Sequence, residues 1–492
     1  MPNCKLMKKT LIFFGLLMLV LPMKAQDYQD YKNRQKQELE RYKDSVKQDY
    51  DDYRRQANEE YARFMREQWE AFQLLKGEPV PELPEPPRPF EYNRDTPIPN
   101  LPNPVPYKPI PTPKPSPIRP IKHPDVPKPS PIPSSAKYEF ACYGTSCVVS
   151  LDKSLKFKLK DASQTAVADA WLHLSSPKSD ALIRDCLGLQ KELSLGDWAY
   201  YCLLRDLSES FLGKATDEAM LMQVYLLAQS GYKVRIGNKN GHLVALLPFD
   251  GVIYERCFIT HQGERLYILG TNETGGTYVF NKAFSDNERV MSLRMPCPPK
   301  FAYKPTAGKE FKSKRYPEIS VTLSPNKNLM DFYQGYPKCV WTNYSWTGLS
   351  EEVKAKLYPM LRKGIAGKSQ IEAANCIINF VQTALEYKTD QEQFGYERPL
   401  FADESFFYPF CDCEDRSILF SILIHDLLGL DVVLLSYPGH LATAVSYTEE
   451  LNGYYFEYEG KRYYISDPTY IGANVGMCMP QYINTSPEVY KL

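Results

Sequence analysis

Three residue types near the C-terminal end of the chain have the makings of a reactive site. Cys413 stands in Cys411-Asp412-Cys413-Glu414-Asp415-Arg416, His440 in Pro438-Gly439-His440-Leu441, and Asp467 in Ser466-Asp467-Pro468-Thr469. They follow one another at steps of 27 residues. A thiol, an imidazole and a carboxylate are what a cysteine nucleophile, its base and the group orienting that base require. The chemistry would be attack of sulfur on an acyl carbon, which needs no cofactor. The chain also lacks a nucleotide loop, a dinucleotide fingerprint and a calcium loop.

The local sequence explains how these groups would be positioned. Tyr408-Pro409-Phe410 is an extended lead-in, because a residue before proline avoids the helical region. Glu414 to Leu428 carries apolar residues at helical spacing and Gly429 is a natural stop. Cys413 therefore falls at a helix N-terminus, where the dipole favours a thiolate, although the charges of Glu414 and Asp415 oppose it. Asp431 to Leu435 and Leu441 to Tyr447 read as adjacent strands joined at Tyr437-Pro438-Gly439. Tyr454 to Tyr458 and Arg462 to Ile465 read as a further strand pair, which Asp467 ends. His425 is a rival base, but it lies twelve residues along the same helix, ~18 Å from Cys413 at about 1.5 Å per residue. His123, His173, His242 and His261 lie upstream, which leaves His440.

In order and local wording these residues resemble the transglutaminase-like superfamily, over roughly residues 325–480. The resemblance implies an α+β, papain-like fold in which a helix packs on an antiparallel sheet. It implies that Cys413 attacks a peptide or carboxamide carbonyl, that His440 shuttles the proton, and that Asp467 fixes the imidazole. It also puts the reactive cysteine two residues before an acid, which fits Cys413 and Asp415 rather than Cys411. A structural metal on Cys411, Cys413 and His440 is the rival, and it lacks a fourth ligand at useful spacing; no metal is expected. The backbone N–H of Cys413 would be one oxyanion donor, with Tyr396 and Tyr408 candidates for the second.

The same pattern recurs upstream. At an offset of 198, Gly231-Tyr232-Lys233-Val234 meets Gly429-Leu430-Asp431-Val432, Gly241-His242-Leu243 meets Gly439-His440-Leu441, and Asp217 meets Asp415. One residue less overlays Arg265-Leu266-Tyr267-Ile268 on Arg462-Tyr463-Tyr464-Ile465. The first copy has Ala215 opposite Cys413 and Gly270 opposite Asp467; of the three groups only the histidine, His242, remains. It reads as a degenerate copy that packs on the active one or helps bind substrate.

The rest of the chain reads as delivery and spacing. Lys8-Lys9, the apolar run Leu11 to Leu21 and Met23-Lys24-Ala25 form a signal peptide over 1–25, so the protein is expected to be secreted, periplasmic or at the cell surface. Residues 26–77 are charged and carry Leu39, Tyr42, Val46, Tyr50, Tyr53, Ala57, Tyr61 and Phe64 at helical steps. That stripe fits a helix packing on something, such as a partner copy of itself or an envelope component, or equally a solvated single helix held by opposite-charge pairs. Residues 78–135 hold 22 of the 40 prolines and read as a semi-rigid polyproline linker. The degenerate domain then spans 136–310 and the catalytic domain 311–492, giving tandem transglutaminase-like domains.

With 59 basic and 59 acidic residues, no global field argues for nucleic acid, and no further stretch suits a membrane span. Eleven cysteines remain after Cys4, so ten could pair and leave one thiol free; Cys142 and Cys147 could close a small loop. The expected function is an exported cysteine hydrolase, a peptidase or amidase, with protein or peptide as substrate. The alternatives are a protein-glutamine transglutaminase and a non-catalytic envelope binding or structural protein.

Overall fold

A computed structural model of the chain describes residues 33, 36–38, 41, 52–66, 69–73, 91–92, 103–109, 136–261, 263–271 and 276–492. The signal segment 1–25, His123, and most of 26–77 and 78–135 lie outside the described residues. Of residues 1–56 the described ones are helical, with Arg55 and Asp52 paired at 2.7 Å, three residues apart. Residues 57–492 form a separate compact unit, with which the rest of this description deals. Among the described residues no helix is long and apolar enough to cross a membrane.

The unit is mixed α and β with antiparallel sheets. It opens with helix α1 (57–65) and strand β1 (Glu70–Gln73), followed by β2 (Asn103–Pro104) and β3 (Lys108–Pro109). A hairpin of β4 (Lys137–Cys142) and β5 (Thr145–Ser150) leads to helices α2 (Gln164–Leu174), α3 (Lys178–Glu192), α4 (Asp197–Leu212) and α5 (Asp217–Gln229). Five strands follow, β6 (Arg235–Lys239), β7 (His242–Leu247), β8 (Phe258–His261), β9 (Glu264–Leu269) and β10 (Gly276–Phe280). A second half begins with the hairpin β11 (Lys309–Lys312) and β12 (Ser320–Leu323), then α6 (Lys327–Gln334), α7 (Trp341–Thr347), α8 (Glu351–Ile365) and α9 (Gln370–Ala384). Next come β13 (Glu386–Tyr387), α10 (Asp390–Gln393), β14 (Phe410–Cys411) and α11 (Cys413–Leu428). The chain ends with β15 (Asp431–Tyr437), β16 (His440–Ser446), β17 (Tyr454–Tyr458), β18 (Lys461–Ile465) and β19 (Glu488–Lys491).

The internal repeat seen in the sequence is a repeat of strand order and register. The first sheet runs β1-β10-β6-β7-β9-β8 and the second β2-β17-β18-β16-β15-β19-β3, so β6-β7-β9-β8 has the same order as β15-β16-β18-β17. Leu246 pairs with Ile268 across β7 and β9, and Ala444 with Ile465 across β16 and β18, which reproduces the offsets of 198 and 197. Phe258 facing Tyr267 and Tyr455 facing Tyr464 continue the match. One buried hydrophobic core runs through both halves.

Two segments upstream of residue 136 are packed into the folded unit. Tyr61, in the middle of α1, lies 4.9 Å from Trp171, 5.0 Å from Phe280 and 5.3 Å from Phe284 (ring centroids), so this part of the charged helix is packed on the first half. Two pieces of the proline-rich arm are sheet edges, where proline's missing donor is tolerated: β2 beside β17 and β3 beside β19. These two strands lie on opposite edges of the second sheet although only the segment 105–107 separates them. Laid flat, six strand spacings would cover ~29 Å, whereas four residue steps reach only ~14 Å. The sheet must therefore curl into an open barrel that 103–109 straps shut, with Val105 buried among Val433, Leu435, Tyr437, Ala444 and Phe456. The other face of β15 and β16, with Val432, Leu434, Leu441 and Val445, joins the core shared with α11, as the alternation of strand side chains requires.

Candidate active site

Helix α11 is the axis of the second half: every residue from Cys413 to Ile424 is buried. Asp412 caps its start, with its backbone N–H donated to Asp415 Oδ2 at 3.1 Å. Gly429 ends it in the left-handed conformation at φ 65°, donating its N–H to the His425 carbonyl. The first turn grips β16 at one residue. Leu441 donates its N–H to Cys413 Sγ at 3.4 Å, and Ser417 Oγ, four residues further along the helix, donates to the Leu441 carbonyl at 3.0 Å. The thiol is thereby held against the backbone immediately after His440.

The imidazole and carboxylate meet as expected. His440 Nε2 and Asp467 Oδ2 are 2.8 Å apart, and Asp467 Oδ1 accepts from the Thr469 N–H at 2.8 Å, so both carboxylate oxygens are fixed. Thr443 Oγ1 donates to the Ser466 carbonyl, and Ser466 N–H to the Thr443 carbonyl at 2.9 Å, which ties the end of β18 to β16. Gln382 on α9 braces the turn beyond, donating to the carbonyls of Tyr470 at 2.9 Å and Ala473 at 3.1 Å and accepting from Gly472 N–H at 3.2 Å. Asp467 leaves Nδ1 as the ring nitrogen without a hydrogen-bond partner among the described residues.

The thiol itself is not bonded to the ring. Cys413 Sγ donates to Glu414 Oε2 at 3.2 Å, and the residue is wholly enclosed. Burial first, then the carboxylates of Glu414 and Asp412, push the thiol well above its ordinary range, against the Leu441 N–H. The helix dipole expected to favour a thiolate is worth about 0.3–1 kcal/mol, less than the cost of desolvating a charge in this acidic surrounding. Tyr482 closes the other side, its ring parallel to His440 at 5.2 Å and 8°, with Tyr437 stacked on Tyr482 at 4.6 Å. A cleft of about 360 Å³ lined by Trp341, Tyr437, Pro438, Gly439 and Tyr490 reaches the turn before His440, but none of Cys413, His440 and Asp467 lines it.

The competing residues fall elsewhere. Cys411 is buried opposite Tyr387 in the β13–β14 pair and donates to the Glu386 carbonyl at 3.7 Å; burial pushes its thiol up to about 11. His425 is a surface residue beside Asp426 at 3.0 Å. Tyr396 is exposed and Tyr408 packs on Phe394 and Phe407, so neither is aimed at the thiol by any contact. The eleven described cysteines are all unbridged, Cys142 and Cys147 included. Glu414 was legible only as a charge, not as the thiol's partner, and Tyr482 and Gln382 carried no sequence signal because both reach the site through long-range packing. In comparison with known proteins, the chain matches no family model, no curated protein and no solved structure.

Proposed function

We propose that the chain is an exported cysteine acyl-transfer enzyme of transglutaminase-like type, hydrolysing peptide or carboxamide bonds. The observation that carries the reading is the His440 Nε2–Asp467 Oδ2 bond of 2.8 Å on the strand whose next residue, Leu441, is bound to Cys413 Sγ. In this reading the thiol turns from Glu414 to His440 as substrate enters, and its proton passes to Nδ1. The thiolate adds to the carbonyl carbon, the C–N bond breaks, and His440 returns the proton to the departing amine. Water then attacks the thioester, His440 takes its proton, and the acid leaves as the thiol re-forms.

The test is a glutamine-containing peptide library offered with and without a primary amine. Release of ammonia or peptide fragments, lost in Cys413→Ala, supports hydrolysis; amine incorporation would turn the reading to a transglutaminase. A non-catalytic role is favoured by one observation, the enclosure of Cys413 and His440. Alkylation with mapping of the labelled cysteine separates the two: preferential labelling of Cys413, lost in His440→Ala, supports the enzyme, and uniform slow labelling supports the inert fold.

A further inference from the structure

Beside the thiol lies a group of carboxyls that the proposed reaction does not use. Asp390, Glu397, Asp412 and Glu414 each offer an oxygen, and these atoms lie within 4.8 Å of one another. Asp390, Asp412 and Glu414 are buried and Glu397 nearly so. Asp412 is fully enclosed; its carboxylate faces the Asp415 N–H in the capping box, yet among the described residues neither oxygen has a donor at hydrogen-bond distance, and Asp390 Oδ1 is likewise enclosed and unpartnered, its Oδ2 accepting from Arg398 N–H at 2.5 Å. A buried carboxylate oxygen without a donor is costly and signals an absent partner.

The buried cations nearby are only partly engaged: Arg398 Nη1 and Arg416 Nε and Nη1 are enclosed without an acceptor among the described residues. The Arg398 guanidinium donates to Glu404 Oε1 at 2.5 Å and that of Arg416 to the Leu385 carbonyl at 2.8 Å; neither reaches Asp390 Oδ1 or the Asp412 carboxylate.

We propose that Asp390, Glu397, Asp412 and Glu414 bind one calcium ion. All four donors are hard oxygens, which excludes soft-metal preference. The oxygens lie within 4.8 Å of one another, near enough to share one ion, and Mg²⁺ keeps several waters whereas Ca²⁺ accepts a flexible shell of carboxylates, so an enclosed all-carboxylate group suits Ca²⁺. The ligands come from α10, the loop after it and the start of α11, so the ion ties the lead-in segment 390–412 to the helix carrying Cys413. Glu414, which accepts the thiol hydrogen bond, is one of the ligands. No linear calcium loop encodes this set. The site stands whether or not Cys413 is a nucleophile.

The test uses the full chain, stripped with a chelator and titrated with Ca²⁺ by calorimetry and with Tb³⁺ by tyrosine-sensitised luminescence. One Ca²⁺ per chain is expected, with a rise in the thermal midpoint. Asp390→Asn and Glu397→Gln should each weaken binding about tenfold or more, since affinity follows ligand charge, while circular dichroism of both variants without calcium stays that of the parent. No binding at ~1 mM Ca²⁺, the weak end for protein sites, would overturn the proposal. So would an affinity unchanged in both variants, or binding of Mg²⁺ in preference to Ca²⁺.

Discussion

The two sheets share order and register, yet their histidines end in opposite environments. In the first half the β6–β7 turn is Asn240-Gly241, both at positive φ (54° and 87°), the pattern of a tight hairpin turn. In the second it is Pro438-Gly439, with Gly439 at 68°. The His242 side chain is 80% exposed, 3.4 Å from Asp217, whereas that of His440 is 3% exposed and bound to Asp467. The backbone N–H that follows each histidine needs an acceptor from the helix. Leu243 finds Asp217 Oδ1 at 2.8 Å; Leu441 finds Cys413 Sγ at 3.4 Å. A carboxylate is the stronger acceptor and sulfur a weak one. For this one hydrogen bond a thiol serves the fold less well than a carboxylate. The presence of the thiol, with Asp467 where the first half has Gly270, is what the proposed chemistry would require.

Substitutions at matched places should break this symmetry. Cys413→Ala should remove amide hydrolysis, a loss of about 10³-fold or more, while His242→Gln in the first half leaves the rate unchanged; steady-state assays on both read the contrast. Asp467→Asn should lower kcat by about 10²–10⁴-fold by freeing the imidazole from its orientation, and thermal unfolding checks that the sheet remains. Tyr482→Ala removes the ring stacked on His440, so iodoacetamide should label Cys413 several-fold faster; an unchanged rate would show that Tyr482 does not close the site.

Smaller effects concern stability. Asp217→Ala leaves the Leu243 N–H without its acceptor and should cost about 1–2 kcal/mol in denaturant unfolding with activity intact. In the second half, Asp403 is wholly enclosed and accepts from Ser350 N–H at 2.9 Å; burial pushes its carboxyl up to about 7. An unfolded aspartate titrates near ~3.9. The folded state thus holds a proton that the unfolded state has lost, and this contribution is full below about pH 4 and gone above about pH 7. Asp403→Asn should flatten the fall in stability across that window, with the variant gaining on the parent as pH rises.

Much of the site was readable along the chain. The apolar spacing after Cys413 and the glycine at 429 bounded α11 almost to the residue, observed as Cys413–Leu428. The strands around His440 and before Asp467 came within one or two residues of their expected limits. The offset of 198 foretold a shared register. These are local signals: periodicity, turn residues and caps act over a few neighbours.

What the sequence determined by itself is the order of thiol, imidazole and carboxylate, the helix and strands that carry them, and the loss of two of the three in the first half. Only the tertiary structure decided that the thiol is enclosed and bonded to Glu414, that Tyr482 lies over His440, that 103–109 straps the second sheet, and that Asp390 and Glu397 converge on Asp412 and Glu414. Each of these joins residues distant in the chain or depends on what surrounds a group. Burial and field are properties of the packed neighbourhood, and no spacing along the chain records them.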